Sequence, residues 1–169
     1  VLVQRAFAVE TADGALDTLR VAGVDPAGVY LGKSIALAVQ LVVLEVLLLV
    51  GVIVFYASNI RPAGILLVVI TALLATCGLA FVGTLYGGLA AGAKGRETLL
   101  PLLLLPVVAP VLIGATRAFE AAFGTRGGAG IRAGIEISDG WPWVGMLAIF
   151  AAVFGAAGVL AFGPLLEEA

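Results

Sequence analysis

Four long apolar stretches restrict what this chain can fold into. They cover residues 31–56, 64–92, 98–116 and 141–164. A helix rises 1.5 Å per residue, so crossing a hydrocarbon layer of ~30 Å takes about 20 residues. Each stretch meets or nearly meets that length. The first is broken only by Lys33, Ser34, Gln40 and Glu45, and the second carries Gly78, Gly83, Gly87 and Gly88. The third holds Pro101, Pro106 and Pro110, and the fourth Gly145, Gly155 and Gly158. Lipid offers no partner to a free backbone amide or carbonyl, so each stretch is expected to be helical. Burial in a soluble core is excluded by composition. Hydrophobic residues make up 62% of the 169, charged residues 12%, and mean hydropathy is +1.20. A soluble domain is roughly half apolar and a quarter charged. The expected fold class is therefore an all-α integral membrane protein with four transmembrane helices, and the lipid bilayer is its first partner.

The polar remainder is short. Residues 1–30 form a polar segment before the first span, residues 117–140 a loop, and residues 165–169 a tail. In the first segment Asp13 can cap a short helix over residues 15–22, with Leu16, Leu19 and Arg20 in its turns. Gly23 would end that helix, and Asp25-Pro26 would start a turn. No cleavable apolar core precedes the first span, so the segment does not read as a signal peptide. The chain begins at Val1, which fits a processed N-terminus or a piece of a longer protein. The loop after the third span continues helically through residues 117–123 and is then Gly-rich at Gly127, Gly128 and Gly130. Trp141 and Trp143 follow, where interfacial aromatics are favoured. Four spans place both ends on one side. The cations divide almost evenly between the two sides, but the tight turn holding Lys94 and Arg96 favours cytoplasmic termini.

Little in the chain can carry chemistry. There is no histidine, which removes the commonest general base and metal ligand. No P-loop, CxxC, HExxH or nucleophile elbow occurs. The chain is expected to be a non-catalytic subunit without a metal, and a net charge of −2 argues against nucleic acid. The lone Cys77, in an apolar run, reads as an inert thiol. Glu45, near the middle of the first span, is costly there by at least ~2.5 kcal/mol. It reads either as a polar contact that lines a path or hydrogen-bonds between helices, or as a protonated, packed carboxylic acid that merely holds helices together. Gln40, just over one turn earlier, could share its face. Pro101, Pro106 and Pro110 read as a hinge or as a static bend. Gly83 and Gly87 permit close helix contact, within the chain or between two copies in a homodimer. Arg117 and Glu120, three apart, suit an interfacial ion pair.

The polar lead-in has a recognisable order. Asp13, Gly14, Ala15, Leu16, Asp17, Thr18 and Leu19 run in sequence, and Pro26 and then Leu31, Gly32 and Lys33 follow. This resembles the cytoplasmic loop of type-2 ABC exporter permeases, in which an acidic residue and Gly-[Thr/Ser]-Leu-Glu-x-Leu precede Pro and Leu-[Gly/Ala]-Lys. Ala15 replaces the hydroxyl residue and Asp17 the glutamate, so one helix-capping option is lost. Residues 102–116, with Pro106 and Pro110 ahead of Leu112, Ile113, Ala115 and Thr116, resemble the fifth span of the haem exporter protein B family, CcmB. Glu120 in the following helix and the basic turn at Lys94 and Arg96 also fit. The resemblance covers most of residues 5–160.

The resemblance implies six spans, of which this chain holds the last four. It implies a membrane permease subunit in the bacterial inner membrane, acting in cytochrome c biogenesis. The partners implied are a CcmA-like ATP-binding subunit and CcmC-, CcmD- and CcmE-like proteins. ATP would be hydrolysed on the partner subunit, driving haem export or release of the haem-loaded chaperone. Haem would be handled by the complex, with no cofactor bound by this chain. Glu10, Asp13, Gly14, Leu16, Asp17, Leu19 and Arg20 would form the ATPase-coupling helix, with Leu16 and Leu19 as apolar anchors and Glu10, Asp17 and Arg20 as a charged rim. Two other readings compete: a permease for a lipid, drug or polysaccharide, and a membrane scaffold or assembly factor without an ATPase.

Overall fold

The structure, a computed structural model, describes residues 25–56, 62–92, 99–123 and 135–168. Among them there are helices and no strands. Helix α1 spans Pro26–Tyr56, α2 Ile65–Gly92, α3 Leu99–Phe123 and α4 Trp141–Glu168. Short 3-10 turns at Pro62–Gly64 and Ile137–Gly140 lead into α2 and α4. All four helices are long and apolar enough to cross a membrane.

The first helix starts earlier than the apolar pattern suggests. Asp25 and Pro26 open α1, where a turn and a span beginning near residue 31 are the sequence expectation. The cause is local chemistry. Proline suits the first helical position, because its missing N–H would have no intrahelical partner there. Asp25 acts from the flanking position: its Oδ1 accepts from the Ala27 N–H at 3.3 Å, and its carbonyl accepts from the Val29 N–H at 3.2 Å. Helix α4 is also prepared by side chains. The Glu136 N–H donates to Asp139 Oδ2 at 3.0 Å, which closes the turn before Trp141.

Helix α3 runs unbroken through its prolines, with Pro106 and Pro110 inside it. Each proline removes the N–H that would pair with the carbonyl four residues earlier. Those carbonyls belong to Leu102 and Pro106. The same helix extends to Phe123, past Arg117 and Glu120, whose side chains meet at 3.1 Å.

Packing is centred on α2. Its most apolar 18-residue stretch is 44% buried, against 6% for the corresponding stretch of α1. One cluster joins Leu67 and Val68 of α2, Ala118, Ala121 and Ala122 of α3, and Val144 of α4. A second joins Ala75, Val111 and Leu147 from the same three helices. Alanine dominates the α3 side, because small residues let helix backbones approach where lipid supplies no hydrophobic drive. Gly64 marks the closest approach, since a Cβ there would fall on the backbone carbonyl of Ala122. Outward positions such as Leu47, Val54, Leu105, Ile149 and Leu160 are exposed, as lipid-facing side chains should be.

Candidate functional site

Helix α1 packs against α2 and α4, and polar side chains take part in that contact. Among its described side chains the buried ones are Tyr30, Ser34 and Leu37, all in the N-terminal half. Tyr30 is fully buried. Its hydroxyl lies 3.1 Å from the Phe81 carbonyl of α2 and 3.2 Å from the Phe154 carbonyl of α4. Its ring stacks on Phe81 with centroids 6.2 Å apart. The ring occupies a notch over Gly158, where a Cβ would collide with it. One side chain thus ties three helices together next to the polar lead-in. The apolar pattern alone placed Tyr30 just outside the first span. The signal that could have found it is a tyrosine in the first turn after Asp-Pro, in a chain whose fourth span offers glycine.

Glu45 makes a second tie. Thr76 Oγ1 of α2 donates to Glu45 Oε2 at 2.9 Å. This is a hydrogen bond between two spans, and such bonds contribute about 0.6–2 kcal/mol in membranes. Gln40 does not join it. It is exposed and lines a shallow groove between α1 and α2 with Leu44, Leu79 and Ala80. Positions five apart on a helix are ~140° apart around the axis, which explains the separation. Replacing Thr76 with Val is expected to lower stability in detergent by about 1 kcal/mol, read by thermal or denaturant unfolding. Glu45→Gln keeps an acceptor oxygen and should cost less. Equal losses in the two variants would show that an amide oxygen does not replace the carboxyl as acceptor for Thr76.

The remaining candidates are dispersed. Pro106 and Pro110 lie on the exposed side of α3; Pro101 is in its first turn. Cys77 is half-buried, not enclosed, and faces an open apolar groove beside Leu74, Phe81, Ala151 and Gly155. Thr116 Oγ1 donates to the Leu112 carbonyl at 2.7 Å, one turn back on α3. Gly83 and Gly87 are buried within the chain. Among the described residues no group of three or more His, Cys, Asp or Glu could hold a metal. Glu10, Asp13, Gly14, Leu16, Asp17, Leu19 and Arg20 lie outside the described residues, as do Lys94, Arg96 and the glycines of the loop after α3.

Residues 1–158 match the family model described as CcmB protein. The match runs through the polar lead-in, all of α1, α2 and α3, and most of α4. The chain belongs to the CcmB family. Neither a curated protein nor a solved structure matches it. CcmB membership gives the chain a role in haem export and cytochrome c maturation, as a transport-associated multi-pass membrane protein. For a CcmB protein, the sparse polar inventory of the spans is informative. The inter-helix polar ties at Tyr30 and at Glu45 both fasten α1 to the bundle.

Proposed function

We propose that this CcmB chain is the membrane permease subunit of an ABC-type complex, driven by a separate ATP-binding subunit. The observation that carries the reading is the family match through residues 1–158, which takes in the polar segment as well as the spans. The segment from Glu10 to Arg20 is the coupling element. Leu16 and Leu19 dock in an apolar groove of the ATPase, while Glu10, Asp17 and Arg20 meet its polar rim. ATP binding closes the ATPase pair and displaces this helix, so a ligand on the partner biases a two-state membrane element.

The output is release of the haem-loaded chaperone, a CcmE-like protein, at the bacterial inner membrane, with CcmC- and CcmD-like proteins in the same assembly. Haem is the cargo of the complex and not a cofactor of this chain. The chain has no histidine to serve as an axial ligand. Chemistry therefore stays with the ATPase and the haem chaperone, and this subunit transmits force.

Cargo is the point on which a competing reading differs. A permease for lipid, drug or polysaccharide would use the same coupling segment. Inner-membrane vesicles carrying the chain, its ATPase and the haem-loaded chaperone separate the two. ATP is expected to raise chaperone release severalfold over a non-hydrolysable analogue. ATP-dependent movement of a labelled lipid with no change in chaperone release would assign the other cargo.

A further inference from the structure

We propose that Tyr30 is the positioning residue that passes movement of the coupling segment into α2 and α4. The inference rests on the permease reading above and adds the place where force enters the bundle. Tyr30 stands four residues into α1, at the end of the polar segment. It is fully buried, with Ser34 and Leu37 buried after it, while most of the other described side chains of α1 are exposed or half-buried. Movement of α1 reaches α2 and α4 through its buried points, and Tyr30 is the first of these after the lead-in. Beyond Leu37, Glu45 supplies a hydrogen bond to Thr76 but lies fifteen positions further along, about 22 Å at the helical rise.

The geometry at Tyr30 suits two arrangements. A phenol has one proton to donate, and two carbonyls face the hydroxyl, Phe81 at 3.1 Å on α2 and Phe154 at 3.2 Å on α4. A small swing of the ring strengthens one bond and weakens the other. The ring fills the space that the missing Cβ of Gly158 leaves on α4, and it cannot leave α2 without unstacking from Phe81. Displacing the start of α1 therefore shifts the donor between α2 and α4. Because packed interfaces switch between discrete arrangements and do not deform smoothly, a small shift there alters how the two helices sit.

Tyr30→Phe keeps the ring in its notch and removes the donor. In the assembled complex with its ATPase and haem chaperone, ATP turnover is expected to stay within about twofold of wild type. Chaperone released per ATP should fall on the order of tenfold, the effect of losing roughly one hydrogen bond from the coupled state. Gly158→Ala, which displaces the ring, should lower the same ratio. An unchanged ratio in Tyr30→Phe, with a wild-type complex that does couple, would overturn the role of Tyr30 and leave the permease reading intact. A wild-type complex whose release ignores ATP would instead overturn the permease reading, and this inference with it. Should Tyr30→Phe fail to accumulate, 3-fluorotyrosine placed at position 30 gives a second readout. Its fluorine resonance is expected to move when a non-hydrolysable ATP analogue binds the complex. A resonance that does not respond to nucleotide would overturn the proposal.

Discussion

Replacing Leu16 and Leu19 together with Asp is expected to reduce ATP-driven chaperone release at least tenfold, while the spans insert and accumulate normally. Both leucines lie in the polar lead-in, outside the apolar spans. In the proposed coupling contact they would lose water in a groove of the ATPase, and a buried leucine contributes about 1.5–3 kcal/mol. Aspartate reverses the sign of that contribution and brings a charge that must be desolvated. Two such changes exceed the ~1.4 kcal/mol that equals a tenfold change in affinity. The measurement is ATPase co-purification together with release per ATP. Normal values for both would place the ATPase contact elsewhere. Comparison with Tyr30→Phe divides the path into stages, because the leucine pair should weaken binding of the ATPase while Tyr30→Phe should leave it bound and unproductive.

The second large effect concerns the bundle itself. Gly64→Ala is expected to destabilise the protein by about 1–3 kcal/mol, the usual range for overpacking. The added Cβ would fall on the carbonyl of Ala122, a backbone atom that no rotamer change can move aside. Helices α2 and α3 would have to separate next to Leu67, Val68, Ala118 and Ala121, the core cluster at that end. Gly145→Ala is the control, since nothing lies within 4 Å of a Cβ built there. It should change stability by less than about 0.5 kcal/mol. Unfolding in detergent, followed by loss of helical signal, measures both. Equal stability of the two variants would mean that α2 and α3 are less tightly apposed at Ala122 than the packing shows.

The spans were legible in the sequence because the bilayer requires long apolar helices, and length with hydropathy reads that directly. The helix starts were less legible. Asp25 and Pro26 read as a turn, yet together they open α1, because proline and an aspartate cap serve both purposes equally well. The Arg117–Glu120 pair was legible from its spacing, since helical neighbours three apart meet on one face. The partner of Glu45 was not, because nothing in the local pattern of α1 indicates which residue of α2 faces it. Thr76 is thirty-one positions away along the chain. Tyr30 illustrates the same limit: its two acceptors are backbone carbonyls on other helices, and a backbone carbonyl leaves no mark in a sequence. Glycine does leave one, at Gly158, but a glycine in a membrane helix can mean a close contact with any neighbour.

The central claim is that a separate ATPase drives this CcmB subunit. The most direct measurement isolates the wild-type chain from bacterial inner membranes with its bound proteins and follows the haem-loaded chaperone as ATP is added. The account predicts that an ATP-binding subunit co-purifies and that chaperone release follows ATP hydrolysis, stopping when a non-hydrolysable analogue replaces ATP. A stable assembly with no ATP-binding subunit, releasing the chaperone at the same rate with or without ATP, would contradict it.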